Sequence, residues 1–144
     1  MTKKSRIILL VLSVLWTIFI FSNSIATAEQ SSENSSTIVN FLLNFINIDI
    51  SFLTLVVRKL GHFSEFLLQG IFIGSFFLVS NTYTKNIIYV MFLGLITAVT
   101  DEFIQLFSPG RSGMIQDVLI DFSGTITAVL VCGIIYLIYR QKKH

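Results

Sequence analysis

Charge is scarce in this chain. Asp, Glu, Lys and Arg make up only 12% of its 144 residues, against about 25% in a soluble globular domain. With 53% hydrophobic residues and a mean hydropathy of +0.80, the composition excludes a soluble domain and makes a bilayer the expected solvent. One cysteine, Cys132, excludes an intrachain disulfide and every metal motif built on paired cysteines. Neither a G-x-S-x-G nucleophile motif nor an H-E-x-x-H zinc motif occurs. Internal repeats of the kind that build a complete secondary transporter are also missing.

What the chain has instead is long apolar runs. A helix needs about 20 residues to cross about 30 Å of hydrocarbon, and four runs qualify: about 7–27, 60–80, 86–106 and 118–139. Lipid offers the backbone no hydrogen-bond partner, so such runs are helical. The expected fold is all-α, a polytopic membrane helical bundle in one domain over 1–144, with four transmembrane helices. The first run has a competing reading. Lys3, Lys4 and Arg6, an apolar core and Ala26-Thr27-Ala28 satisfy the pattern of a secretory signal peptide. Trp16, Phe19 and Phe21 make the run longer and more aromatic than a signal core needs, which favours a retained anchor.

Orientation follows from the Lys and Arg that flank each span. Lys3, Lys4, Arg6, Lys85, Arg140, Lys142 and Lys143 fall on one side, and Arg58, Lys59 and Arg111 on the other. Both termini are therefore expected to be cytoplasmic in a multi-pass protein of the cytoplasmic membrane. The segment 28–57 would then be external. Its part from Glu29 to Ser36, rich in serine, reads as a solvated loop. From Thr37 to Asn47 the polar positions Thr37, Asn40, Asn44 and Asn47 recur at helical spacing, which predicts a short interfacial or re-entrant helix after the first span.

Nearly all the remaining polarity falls at the external ends of three spans. His62 and Glu65 are three apart and share a helix face near the start of the second span. Asp101 and Gln105 share a face at the end of the third, with Glu102 about 100° round from Asp101. Asp117 and Asp121 open the fourth. Between them, Ser108-Pro109-Gly110-Arg111 reads as a type I or type II turn, with Pro109 presetting the first central position and Gly110 free to take positive φ. Arg111 leaves that turn able to pair with a carboxylate or with a phosphate delivered from outside.

Each group has a plainer role open to it. Arg58 and Lys59 can snorkel to headgroups, Asp117 can be a helix N-cap, and His62, Glu65, Asp101, Glu102 and Asp121 can form a polar network that holds helix register. Gly70 with Gly74, and Gly124 with Ala128, read as close helix contacts, and Cys132 and His144 as inert.

Three blocks carry a resemblance: Arg58-Lys59-Leu60-Gly61-His62-Phe63-Ser64-Glu65-Phe66, then 101–111 with its D-E-x-x-Q-x-F-x-P-G-R string, then Asp117-Val118-Leu119-Ile120-Asp121-Phe122-Ser123-Gly124. They resemble the signature blocks of the VanZ-like membrane protein family, and Phe21-Ser22 with the serines from Ser31 to Ser36 resembles its first-loop pattern. The resemblance implies a small bacterial polytopic protein. That family is named for an accessory member of glycopeptide-resistance gene clusters associated with reduced susceptibility to teicoplanin, a lipid-tailed glycopeptide. It brings no established chemistry.

Three functions fit these residues. The first is an enzyme on the headgroup of an envelope lipid or lipoglycopeptide, with His62 and Glu65 as an acid/base pair. Asp101, Glu102 and Asp121 would orient that pair or hold a divalent cation, with no metal ligand set assigned. Arg58, Lys59, Gln105, Arg111, Asp117 and Asp121 would contact the ligand. The second is a protein that binds or shields the same headgroup while apolar helices hold a lipid tail. The third is a structural or transport-accessory role in which the polar cluster locks the bundle. Membrane lipids and lipid-linked envelope intermediates are the expected partners, and nucleic acid is not.

Overall fold

A computed structural model describes residues 3–79 and 82–142. Five helices account for almost all of them: α1 (Lys3–Ile25), α2 (Ala28–Leu43), α3 (Ile50–Val79), α4 (Tyr83–Gln105) and α5 (Ile115–Gln141). No strand occurs among the described residues. The expected all-α class is therefore the observed one. Readings that touched Ser80, Lys143 and His144 lie outside the described residues.

Among the described residues, three helices are long and apolar enough to cross a membrane: α1, α4 and α5. Their outer faces are apolar and uncovered, with Leu15, Ile18, Ile88, Phe92, Leu130 and Ile134 all exposed. The second expected span corresponds to α3, which carries Arg58, Lys59, His62, Glu65 and Gln69 along its length and is not one of the three. This helix begins at Ile50, well before the predicted Leu60, because Asp49 caps it. The Asp49 carboxylate accepts from the Phe52 backbone N–H at 2.9 Å and from the Ser51 hydroxyl. Those bonds, the Ser51 one first, hold its carboxyl below the ordinary Asp range.

The stretch Glu29 to Ser36, expected as a loop, is helical. Thr27 caps α2, accepting from the Gln30 N–H at 3.2 Å, while the Gln30 side chain accepts from the Thr27 N–H at 3.0 Å. This reciprocal capping box satisfies two otherwise orphaned donors and outweighs the weak helix preference of the serines. The helix ends at Leu43, with Asn44 as its C-cap, so Asn47 lies beyond it. The covered face carries Ser31, Ser35, Val39 and Leu42, while Thr37, Asn40, Ile38 and Phe41 are exposed.

α3 is the hub, packed most extensively on α5 and also touching α1, α2 and α4. Lipid tails give helices no hydrophobic reason to associate, so small residues that let backbones approach become the contacts. The two small-residue pairs seen in the sequence meet each other at this seam. A Cβ on Gly70 would stand 2.6 Å from that of Ala128, and one on Gly124 would strike the Phe63 carbonyl oxygen of α3. Cys132 is buried at the same seam beside Gly74. Midway along the bundle the Gln69 amide donates to Thr17 at 2.9 Å and to Thr97 at 3.2 Å, tying α1, α3 and α4 together. A small core of Ile20, Phe66 and Ala98, flanked by Trp16, Phe21 and Val118, packs these helices together.

Candidate functional site

The C-terminal ends of α1 and α4, the start of α2, the first half of α3 and the start of α5 meet at one end of the bundle, and the polar residues divide there into two sets. One set is largely engaged with the protein, although Glu102 Oε1 and Arg111 Nε have no hydrogen-bond partner. Asp101, 1% exposed, accepts from the Ser24 hydroxyl and, at 2.8 Å, from the Gln105 amide. Glu102 does not turn toward His62. Its Oε2 accepts at 2.7 Å from the backbone N–H of Met114, the residue just before α5. Lys59 and Asp117 pair with each other at 2.5 Å. The N-cap of α5 is Met114, so Asp117 lies inside the first turn and is not the cap.

The loop between α4 and α5 is built as the sequence implies. The Arg111 N–H donates to Ser108 O at 3.1 Å, and Gly110 has φ of 75°, which selects the type II turn. Its Pro109 carbonyl accepts from the Ala28 N–H at 3.1 Å, docking the turn on the start of α2. Ser108 donates to the Ser24 carbonyl at 2.7 Å. Among the described residues Arg111 reaches no carboxylate. Its guanidinium donates to the carbonyls of Asn23 at 3.3 Å and Ser24 at 3.4 Å and to the Ser31 hydroxyl at 2.9 Å. It therefore sits at the negative end of the α1 dipole, where a cation is favoured. Burial, and then the nearby charge of Arg58, draw this guanidinium below its ordinary pKa.

The second set is under-engaged. His62 Nδ1 lies 3.6 Å from Asp121 Oδ1 and 3.8 Å from Asp101 Oδ2, too far for hydrogen bonds. Asp121 is 0% exposed, and both of its oxygens lack a hydrogen-bond partner, as does His62 Nδ1. Buried polar atoms are nearly always paired, so such a group of orphans calls for an explanation. Arg58 makes no hydrogen bond or ion pair among the described residues. It stands between two cavities, with His62 lining both. The larger, about 500 Å³, also carries Lys59, Asp117, Ser51 and Thr54. The smaller, about 180 Å³, carries Glu65, Arg111, Asn34 and Ser35.

His62 and Glu65 lie well inside α3, not in its first turns, because the helix begins at Ile50. Nothing joins them directly among the described residues. Glu65 Oε1 instead accepts from Asn23 at 2.8 Å, and its backbone carbonyl accepts from the Trp16 indole at 2.9 Å. The sequence reading overlooked Asn23, Ser24 and the Ser31–Ser35 face of α2. A signal for the first two was present, since Ser22-Asn23-Ser24 is a polar triplet closing an apolar run. The carboxylates grouped as possible cation ligands also separate. Asp101 and Asp121 come together with His62, while Glu102 goes to the α5 terminus.

A family model described as VanZ/LLP1 matches residues 8–136, nearly the whole chain and all of the polar end of the bundle. No curated protein and no solved structure matches it.

Proposed function

This chain belongs to the VanZ/LLP1 family, and from that premise we propose that it holds the anionic headgroup of an envelope lipid or lipoglycopeptide at the outer leaflet, binding or modifying it between α2 and α3. One observation carries the reading: Arg58, a cation without a partner among the described residues, stands between two cavities that share His62. A planar guanidinium with free donors is suited to a phosphate or carboxylate, and the hydroxyls and amides of Ser31, Ser35, Ser51 and Asn34 supply neutral hydrogen bonds around it. Glu65 and His62 face the smaller cavity as candidate acid and base.

The same reading takes α3 as a span too, the second in chain order. Its charged residues cost about 2.5–3.5 kcal/mol each at a membrane centre, but they gather in the half of α3 nearest the polar end, with the apolar half from Ile71 onward left for the hydrocarbon. Both termini then lie in the cytoplasm of a bacterial cell, the polar end faces outward, and the exposed Phe41, Phe45 and Ile46 beside α2 sit at the headgroup level. A reporter fused after His144 is expected to read as cytoplasmic, and an external reading would reverse the site to the inner leaflet. An apolar groove of about 420 Å³ between α1, α3 and α4, lined by Val14, Ile18, Phe21, Ile73 and Phe77, suits an acyl chain. Teicoplanin has this build, a polar head on a lipid tail, and reduced susceptibility to it is the phenotype that follows.

The locking role has its own observation, because Arg111, Glu102, Gln105 and the Lys59–Asp117 pair are all spent on holding helix ends. The two readings divide the residues between them. Native mass spectrometry of lipids co-purifying with the wild-type chain and with Arg58→Ala tests the division. Anionic headgroups retained by the wild type and lost from an equally abundant Arg58→Ala support the proposal. Identical lipid complements would end it, and an altered headgroup mass after incubation with the wild type alone would make the protein an enzyme.

A further inference from the structure

We propose that His62, Asp101 and Asp121 form a binding site for one divalent first-row transition-metal ion. The three side chains come from three helices, α3, α4 and α5, and each places one ligand atom within 4.8 Å of the other two. Ligands about 2.0–2.2 Å from a tetrahedral ion stand about 3.3–3.6 Å apart. The imidazole nitrogen lies 3.6 Å from Asp121 Oδ1 and 3.8 Å from Asp101 Oδ2, within about half an ångström of that spacing and well outside hydrogen-bond range.

Asp121 gives the independent reason. Its carboxylate is 0% exposed, neither oxygen has a hydrogen-bond partner, and Oδ1 points at the His62 nitrogen, which is itself unpartnered. A buried carboxylate without donors costs several kcal/mol, and a second one, Asp101, lies alongside at 1% exposure. Of the neighbouring cations, Arg111 is committed to the end of α1 and Lys59 to Asp117, and Arg58, which shares both cavities with His62, pairs with neither aspartate among the described residues. An imidazolium would offset only one of two negative charges. A divalent ion offsets both, and takes up the unpartnered His62 nitrogen and Asp121 oxygen together with Asp101 Oδ2, which already accepts from Gln105.

Supporting bonds are already in place for one ligand. The Ser24 hydroxyl and the Gln105 amide both donate to Asp101 and fix its carboxylate, the arrangement that orients metal-binding carboxylates. One imidazole nitrogen with two carboxylate oxygens selects zinc, iron or manganese over magnesium, which avoids nitrogen. His62, 18% exposed along its side chain and lining both polar cavities, marks the route to the buried pair.

The test uses the full chain in detergent, stripped with chelator and titrated with Zn²⁺ alone. One Zn²⁺ per chain is expected, unmoved by excess Mg²⁺, with Co²⁺ giving the absorption of a nitrogen–oxygen site. His62→Ala and Asp121→Asn should each abolish stoichiometric binding, and Ser24→Ala should weaken it about 10- to 100-fold. Helical circular dichroism checks each variant. If Asp121→Asn does not fold, His62→Ala, which removes a partly exposed ring, decides alone. Failure of the wild type to retain Zn²⁺, or retention unchanged by His62→Ala, overturns the proposal. The inference stands apart from the headgroup reading: zinc held without any co-purifying anionic lipid would sink that reading and leave this one, and the reverse result would sink only this one.

Discussion

Replacing Arg111 separates a structural clamp from a ligand contact. In the wild type its guanidinium makes three hydrogen bonds, to Asn23 O at 3.3 Å, Ser24 O at 3.4 Å and Ser31 Oγ at 2.9 Å. Hydrogen bonds with one charged partner contribute about 1.5–3 kcal/mol each. The two carbonyl contacts exceed the usual 2.7–3.2 Å range, so only the hydroxyl bond counts fully, and the sum is about 2–4 kcal/mol. Arg111→Ala should destabilise the corner between α1 and α2 by that amount. At 1.4 kcal/mol per tenfold, amide hydrogen exchange over residues 23–31 should quicken roughly 30- to 700-fold. The far ends of α4 and α5, which Arg111 does not touch, should change little. Arg111→Lys keeps the charge at the α1 terminus but not the fork that spans three acceptors, so it should recover about 1 kcal/mol of helix-terminus stabilisation. Protection at 23–31 that survives Arg111→Ala would refute the clamp, and would return Arg111 to the pool of free cations beside Arg58.

Two more perturbations probe the frame around the site. Gly124→Leu drives a side chain into the Phe63 carbonyl across the α3–α5 seam. It should lower stability by about 1–3 kcal/mol, read as a fall in detergent melting temperature, and an unchanged melt would mean the seam is looser than described. Glu102→Gln keeps an oxygen that can accept from the Met114 N–H, whereas Glu102→Ala loses a bond worth about 1.5–3 kcal/mol. Exchange at 106–116 should therefore quicken strongly in the alanine variant and only slightly in the glutamine one. Equal effects would show that the negative charge matters, not the bond.

The helices were legible because their signals are local. An apolar run in lipid has one way to satisfy its backbone, and the bounds of α1, α4 and α5 fall within a few residues of those runs. The Ser108–Arg111 turn was legible for the same reason, since Pro109 and Gly110 restrict their own dihedral angles. The start of α2 reads as a loop although Thr27-Ala28-Glu29-Gln30 is a capping-box sequence, because the four serines in the eight residues that follow Ala28 obscure it. α3 was shortened because its first turns hold no polar periodicity, and its charged middle looked like a helix end.

Which polar groups meet was a different matter. Helical spacing puts Asp101 with Gln105 on one face of α4 and they do bond, but it does not show that Glu102 bonds the Met114 N–H, or that Arg111, while lining the smaller cavity with His62 and Glu65, bonds the end of α1. Glu102 departs from Asp101 by a rotation of about 100°, and only the position of Met114 makes that rotation lead to a backbone donor. Arg111 is drawn to the end of α1, eighty-odd residues away in the chain, because unpaired carbonyls gather there. The sequence by itself determined a membrane-dwelling, helical chain with its polar side chains concentrated toward one end, since composition and apolar run length decide how a backbone survives in lipid. Tertiary structure alone decided that Arg111 clamps, that Arg58 has no partner among the described residues, and that His62 faces two buried aspartates. Those outcomes depend on where three helices cross, and the crossing is set by the glycines of the α3–α5 seam acting together, which no local pattern records.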